Sequence, residues 1–300
     1  MNLPPAQSKR LDLYIAETLT LMRRSQIKAR RLRAAVNGRT AKLSRLVKAG
    51  DTLSLVWQDA PPPGIIPEYI PLDIVYEDAR VIVVNKPQGL VVHPGAGNPG
   101  GTLANALLWR LCQKQGGGAG DASGLSSGNP RPFIVHRLDK DTSGLLIAAW
   151  DNDALAFLAG QFKARTVRKT YAAIVKGCPA RERGVILSNI VRDRNDRKRF
   201  TVSDSAGRSA LTYYKLVRSA GGCSLLKIRP KTGRTHQIRV HLRSIGHPVI
   251  GDQLYGQSGP AGAPHPTLAL HSKTLEIVLP GGARARFTTP LPLRFKKIMP

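Results

Sequence analysis

Pro61-Pro62-Pro63-Gly64, followed by Pro67 and Pro71, divides this chain. A run with so many fixed φ angles and missing backbone donors cannot continue a helix or a central strand. Residues 58–71 are therefore predicted to form a semi-rigid linker. It separates a small unit over residues 8–57 from a large one over residues 72–300, a size that suits one catalytic core. Hydrophobic residues make up 42% of the chain, which supports globular folding.

In the small unit Leu11, Tyr14, Ile15 and Leu19 recur at helical spacing. Ser25 is the expected cap of a second helix, with Ile27 and Leu32 inward and Lys28, Arg30, Arg31 and Arg33 around them. Asn37-Gly38 is a turn signal, and Thr52–Trp57 reads as a strand. Lys9 to Trp57 holds twelve Lys and Arg against three acids. Such a face, to which Arg23 and Arg24 add, can track phosphates, although helices also wear solvated basic faces.

The whole chain repeats that imbalance: 46 Lys and Arg against 19 Asp and Glu, a net charge of +27. A polyanionic partner follows, most simply nucleic acid. A membrane surface is the rival, but no apolar run reaches spanning length and no lipidation signal is present. Cys112, Cys178 and Cys223 have neither metal spacing nor a disulfide pattern. Met1–Gln7 lacks the apolar core of a signal peptide. A cytoplasmic monomer without metal or cofactor is expected. No P-loop or CxxC signal is present.

The large unit alternates strand-like and helical stretches. Ile74–Tyr76 and Val81–Val84 read as strands, Thr102 as the cap of a helix through Leu111, and Gln115–Asn129 as a flexible Gly/Ser-rich insertion. Asp151 can cap a further helix. Thr170–Val175, Val185–Ile190, Arg199–Val202, Ser209–Val217 and Ser224–Ile228 are strand-like. GHPVIGDQLYG, from Gly246, and the later apolar runs read as core strands closing the sheet, with Arg294, Lys296 and Lys297 solvated at the end.

Two stretches concentrate chemistry. In the first, Phe133–Val135 and Leu145–Ala149 bracket a polar turn, His136-Arg137-Leu138-Asp139-Lys140-Asp141-Thr142-Ser143-Gly144. Asp139 lies between Arg137 and Lys140, which favour its ionised form, on a loop that is rigidly placed yet reachable. Gly144 permits a positive φ. In the second, Lys231–Leu242, Thr235 is the predicted helix cap, Ile238, Leu242 and Ile245 form an apolar stripe, and Arg239 and Arg243 share a face. His236 and His241, five apart without a carboxylate or thiol, suit no metal.

NKPQGLVVHPG (from Asn85), HRLDKDTSGLLI (from His136), RKTYAAIVKG (from Arg168) and GRTHQIRVHL (from Gly233) occur in the order of the motifs of the RluA family of RNA pseudouridine synthases, which the chain resembles. Arg10-Leu11-Asp12, Arg24-Ser25-Gln26, Val36-Asn37-Gly38 and Gly50-Asp51 resemble an S4 RNA-binding domain. Within the family, VVHPGAGNPGGT and the S4-linker-synthase order look most like the large-subunit ribosomal RNA enzymes of subgroup D. The resemblance implies an α+β fold: a mixed or antiparallel sheet catalytic domain with a small N-terminal α/β RNA-binding domain. It implies Asp139 as the essential carboxylate, Arg239 as its partner and Tyr171 at the base. Ile238 would pack in the same pocket, and Arg137 would fill the place of a flipped base. It further implies 23S ribosomal RNA as substrate, with Arg23, Arg24, Lys28, Arg30 and Arg31 as RNA contacts. Two other functions remain open at this point: a non-catalytic RNA-binding or ribosome-assembly factor, and an N-glycosidase pairing Asp139 with Asp141, whose spacing fits opposed carboxylates poorly.

Overall fold

The computed structural model describes residues 8–21, 27, 32–57, 65–95, 97–114, 133–256 and 267–299. Contacts divide the chain into two units, Met1–Gly64 and Ile65–Pro300.

In the first unit β1 (Lys9–Arg10) leads into α1 (Leu11–Leu13), which continues as a π-helical turn, Tyr14–Thr18. β2 (Arg33–Val36), β3 (Arg39–Ala41), β4 (Leu46–Val47) and β5 (Leu53–Val56) follow. β2 lies between β3 and β5 in one antiparallel sheet, and β1 pairs with β4. Asn37 (φ 54°) and Gly38 (φ 75°) turn the β2–β3 hairpin, because two left-handed residues match the twist of paired strands. The Asn37 side chain donates to Asp51 Oδ1 and accepts from Thr52 N, both at 2.8 Å. Leu11, Tyr14, Ile15, Ile27, Val36 and Leu53 make the core. The second predicted helix, with Ser25, Arg23, Arg24, Lys28, Arg30 and Arg31, lies outside the described residues apart from Ile27 and Leu32, and Arg33, expected on it, instead begins β2.

The second unit begins with β6 (Ile74–Glu77), β7 (Val81–Lys86), α2 (Leu103–Lys114), β8 (Phe133–Ile134), β9 (Ser143–Ala149) and α3 (Asn152–Ala164). β10 (Arg168–Lys176), β11 (Arg183–Arg192), β12 (Phe200–Ser203), β13 (Arg208–Ala220) and β14 (Cys223–Pro230) come next. α4 (Gln237–Ser244), β15 (Leu270–Val278), β16 (Arg284–Thr288) and α5 (Leu293–Ile298) complete it. The described strands form one sheet in the order β12-β11-β13-β14-β10-β15-β9-β7-β6, with β16 on β15 and β8 on β9. The β9–β15 pair is parallel and its neighbours are antiparallel, so the sheet is mixed and the fold α+β, as expected.

β9 is buried at every position because both faces of the sheet are covered there. Leu146 and Ala148 pack in a cluster with Leu103, Leu107 and Leu111 of α2. Leu145 and Ile147 pack in another with Ala154 and Leu158 of α3. Asp151 caps α3 by accepting from Ala154 N at 2.7 Å. Ahead of α2, Asn105 accepts from both Thr102 N and Thr102 Oγ1.

Three expectations are corrected. Residues 65–71, read as the second half of the linker, lie against α2: Asn105 donates to Ile66 O, and the Tyr69 ring meets Trp109 edge-on. The GHPVIGDQLYG stretch is largely turns and irregular chain, not strand. Arg294 is not solvated: it donates to Ser143 Oγ at 2.5 Å and to the carbonyls of Leu268 and Leu270.

Candidate active site

The loop that carries Asp139 emerges from β8 and enters β9. Beneath it lies Lys86, 0% exposed. Its ammonium donates to the carbonyls of Pro87 (2.8 Å), Leu90 (2.8 Å) and Lys140 (3.0 Å). All three of its donors are therefore used, and one grips the residue after Asp139. Burial lowers the Lys86 pKa to about 8, against the opposing pull of Asp141 and Asp139. Upstream, His136 Nε2 accepts from Ile147 N at 3.1 Å, and its ring stacks on Phe162. Burial and the Lys169 charge hold His136 neutral, with a pKa near 3. Downstream, Gly144 has φ +112°, and a Cβ there would overlap the Ser272 backbone of β15. Only glycine lets β9 come this close to β15 at the end of the loop.

Arg239, on α4, meets Asp139: its Nη1 donates to Oδ2 at 3.3 Å. Its stronger partner is Asp252. Nε and Nη2 reach Asp252 Oδ2 and Oδ1 at 2.6 and 2.7 Å, the bidentate geometry that fixes a guanidinium. The Asp252 side chain is wholly buried and also accepts from Leu254 N and Tyr255 N. Burial opposes the charge of Arg239, but hydrogen bonds and charge from Asp252, with help from Asp139, outweigh it and raise its pKa. The Tyr255 ring lies under both Arg239 and Arg243, the pair that shares a helix face.

His236 stands beside Asp139, Nε2 to Oδ2 at 4.0 Å. Its Nδ1 is 2.8 Å from Tyr255 Oη, which already accepts from Phe200 N at 2.8 Å. The phenol hydrogen is thus available to Nδ1, which leaves Nε2–H facing Asp139. Burial is the first cause that lowers the His236 pKa. The residue adopts φ 55° and is itself the residue before α4, where Thr235 was predicted. In place of a Thr235 cap, Gln237 Oε1 accepts from Arg234 N and Thr232 Oγ1.

Asp139, Arg137, Tyr171, Ile238 and Arg239 all line one cleft of about 500 Å³ within the second unit, ample for a small ligand. Tyr171 and Ile238 are buried. Burial pushes the Tyr171 phenol up to about 12, opposed by a hydrogen bond with Ser272 and assisted by Asp139. Arg137 lines the same cleft and is exposed. Asp141 is exposed and does not line the cleft, so the opposed carboxylate pair that a glycosidase needs is not assembled from these two. Lys163, Arg165, Lys169, Lys231 and Arg234 add cations to the cleft lining. Sequence reasoning missed Asp252, His236 and Lys86 as parts of this site. The available signals were the Gly251-Asp252 turn pair inside an apolar stretch and a lysine ending a buried strand.

Residues 80–244 match the family described as RNA pseudouridylate synthase. The "Ribosomal large subunit pseudouridine synthase D" of Borreliella burgdorferi is 41% identical over 292 residues, spanning 95% of this chain and 87% of that relative. The protein of the same name from Zymomonas mobilis is 38% identical over 309 residues, spanning 97% and 94%. Among solved structures, human RNA Pseudouridylate Synthase Domain Containing 1 superposes with a TM-score of 0.58 at 28% identity, over 73% of this chain and 83% of that one.

Proposed function

From the premise that this chain belongs to the RNA pseudouridylate synthase family, and is an RNA pseudouridine synthase, we propose that it converts uridines of large-subunit ribosomal RNA with Asp139 as the essential carboxylate. The observation that carries this reading is the Asp139–Arg239 contact at 3.3 Å inside the cleft that also holds Tyr171 and Ile238. Two relatives named for the large ribosomal subunit support the substrate.

The reaction breaks the C1′–N1 bond of uridine, turns the ring and joins C1′ to C5. The C5 proton is lost and N1 gains one, so nothing is added or removed overall. A base inside folded RNA must first leave its stack. Arg137, exposed at the cleft, suits the vacated space. Asp139 acts as an anion, on the sugar, on the ring or as a base on the ribose. Arg239 fixes its orientation, and Asp252 fixes Arg239. Tyr171 offers a ring face to the uracil. Because burial holds its phenol protonated, it serves as a stacking surface and hydrogen-bond donor in preference to a phenolate base. Ile238 closes the apolar side.

The first unit is read as an S4-like RNA-binding arm over residues 8–57, followed by the linker and the catalytic domain. Exposed Arg33, Arg39, Lys42, Arg45 and Lys48 support this, and Arg23, Arg24, Lys28, Arg30 and Arg31 are assigned to the same phosphate-tracking role. Mapping pseudouridine across ribosomal RNA incubated with and without the purified protein tests the function. New pseudouridines confined to 23S RNA support the reading, and conversion only in other RNA classes rejects the substrate.

A further inference from the structure

On the reading that the cleft receives a flipped uridine, we propose that Lys169 seats one of the two phosphodiesters flanking that nucleotide, as a built anion subsite. Lys169 lies two residues before Tyr171 on β10, and both line the cleft. Asp139, Tyr171 and Ile238 are assigned to the base, which leaves the rest of the cleft lining, Lys169 included, for the sugar-phosphate.

Four other cations partly or wholly sunk in this unit have acceptors. Lys86 has three carbonyls, Arg239 has two carboxylates, Arg110 has Glu77 and Arg294 has Ser143 with two carbonyls. Lys169 has no carboxylate and no hydrogen-bond acceptor among the described residues. Its ammonium sits 5.7 Å from the centre of the Phe162 ring. It is 3.9 Å from the point a Cβ of Gly233 would occupy. Gly233 therefore puts no side chain between this charge and the cleft. Burial lowers the Lys169 pKa, and no anion of the protein opposes the shift. A half-buried cation held without a counter-charge is best stabilised by an anionic ligand. The uracil carbonyls are neutral and would leave the charge uncompensated. Lys163, Arg165 and Lys231 are exposed and add field at the mouth. Lys169 is distinguished by being held in the wall.

The test pairs Lys169→Met and Lys169→Arg with ribosomal RNA fragments in which the phosphate 5′ or 3′ of the converted uridine is a neutral methylphosphonate. Thermal unfolding checks that each variant is folded. Lys169→Met should bind unmodified RNA about tenfold more weakly, and the slope of log affinity against log salt should fall by roughly 0.7. Lys169→Arg should keep that slope. One methylphosphonate should weaken the wild type by a similar factor and leave Lys169→Met unaffected. If both neutral linkages weaken the two proteins equally, or the salt slope of Lys169→Met is unchanged, the subsite does not exist. The slope is also read on bulk 23S RNA, independent of conversion. Absence of pseudouridine with the wild type would overturn the catalytic reading, whereas an unchanged slope would overturn the Lys169 assignment alone.

Discussion

Arg239 turns its guanidinium fork to Asp252, at 2.6 and 2.7 Å, and offers Asp139 only its remaining nitrogen, at 3.3 Å. The firm bond is to the buried carboxylate and the loose one to the carboxylate in the cleft. Asp252 thereby sets where Arg239 points, while Asp139 keeps oxygen lone pairs free for a ligand. Removing one partner of a buried pair leaves the other charge unpaired. Asp252→Ala should therefore cost about 3–5 kcal/mol, read by urea unfolding. Asp252→Asn, which keeps an acceptor, should unfold at higher urea than the alanine variant and still lose turnover.

Gly144 meets the Ser272 backbone so closely that no side chain fits, and its φ of +112° is one that other residues rarely adopt. Gly144→Ala should destabilise the catalytic unit by more than about 3 kcal/mol, because both strain and overlap fall on buried backbone. A melting temperature within a degree or two of wild type would show that β9 and β15 separate easily.

His241 lies between Thr212 and Ser188, and His271 between Ser143 and Thr289. Burial lowers the pKa of each to about 4. Below pH 6.5 the unfolded chain takes up protons that the native state refuses, so these residues make stability fall as pH falls from 6.5 towards 4. Each should contribute a loss of about 2 kcal/mol between pH 6.5 and 5. In urea titrations at those two pH values, His271→Gln should lose about 2 kcal/mol less than wild type. An equal loss in both would mean that His271 titrates normally.

Much of this architecture could be read from the chain. Val81–Val84 and Leu145–Ala149 are apolar runs bounded by turn residues, and both are buried strands. Asn37-Gly38, a turn signal in the sequence, turns the β2–β3 hairpin. Asp139, Tyr171, Ile238 and Arg239 come from three separate stretches and meet in one cleft. The misses have separate causes. Asp252 sits among Val249, Ile250 and Leu254, whose apolar character suggested a strand and hid a turn. Arg294 looked like a solvated terminal cation because its acceptor, Ser143, is 151 residues away. Local pattern could not show that His236, not Thr235, would adopt the left-handed conformation ahead of α4.

The RNA-binding role proposed for the first unit rests on charge. Replacing Arg23, Arg24, Lys28, Arg30 and Arg31 together by glutamine should weaken binding to ribosomal RNA and flatten its salt dependence by roughly 0.7 for each phosphate no longer neutralised. An unchanged slope would show that this stretch touches no phosphate.

Asp139→Asn keeps the size of the side chain and one acceptor for Arg239 while removing the charge. Its wild-type environment is partly open, with 20% of the side chain exposed, so the fold should tolerate it. The decisive measurement is pseudouridine formed per 23S RNA by this variant, alongside its RNA affinity. Affinity close to wild type with no pseudouridine is predicted. Conversion at the wild-type rate would contradict the assignment of Asp139.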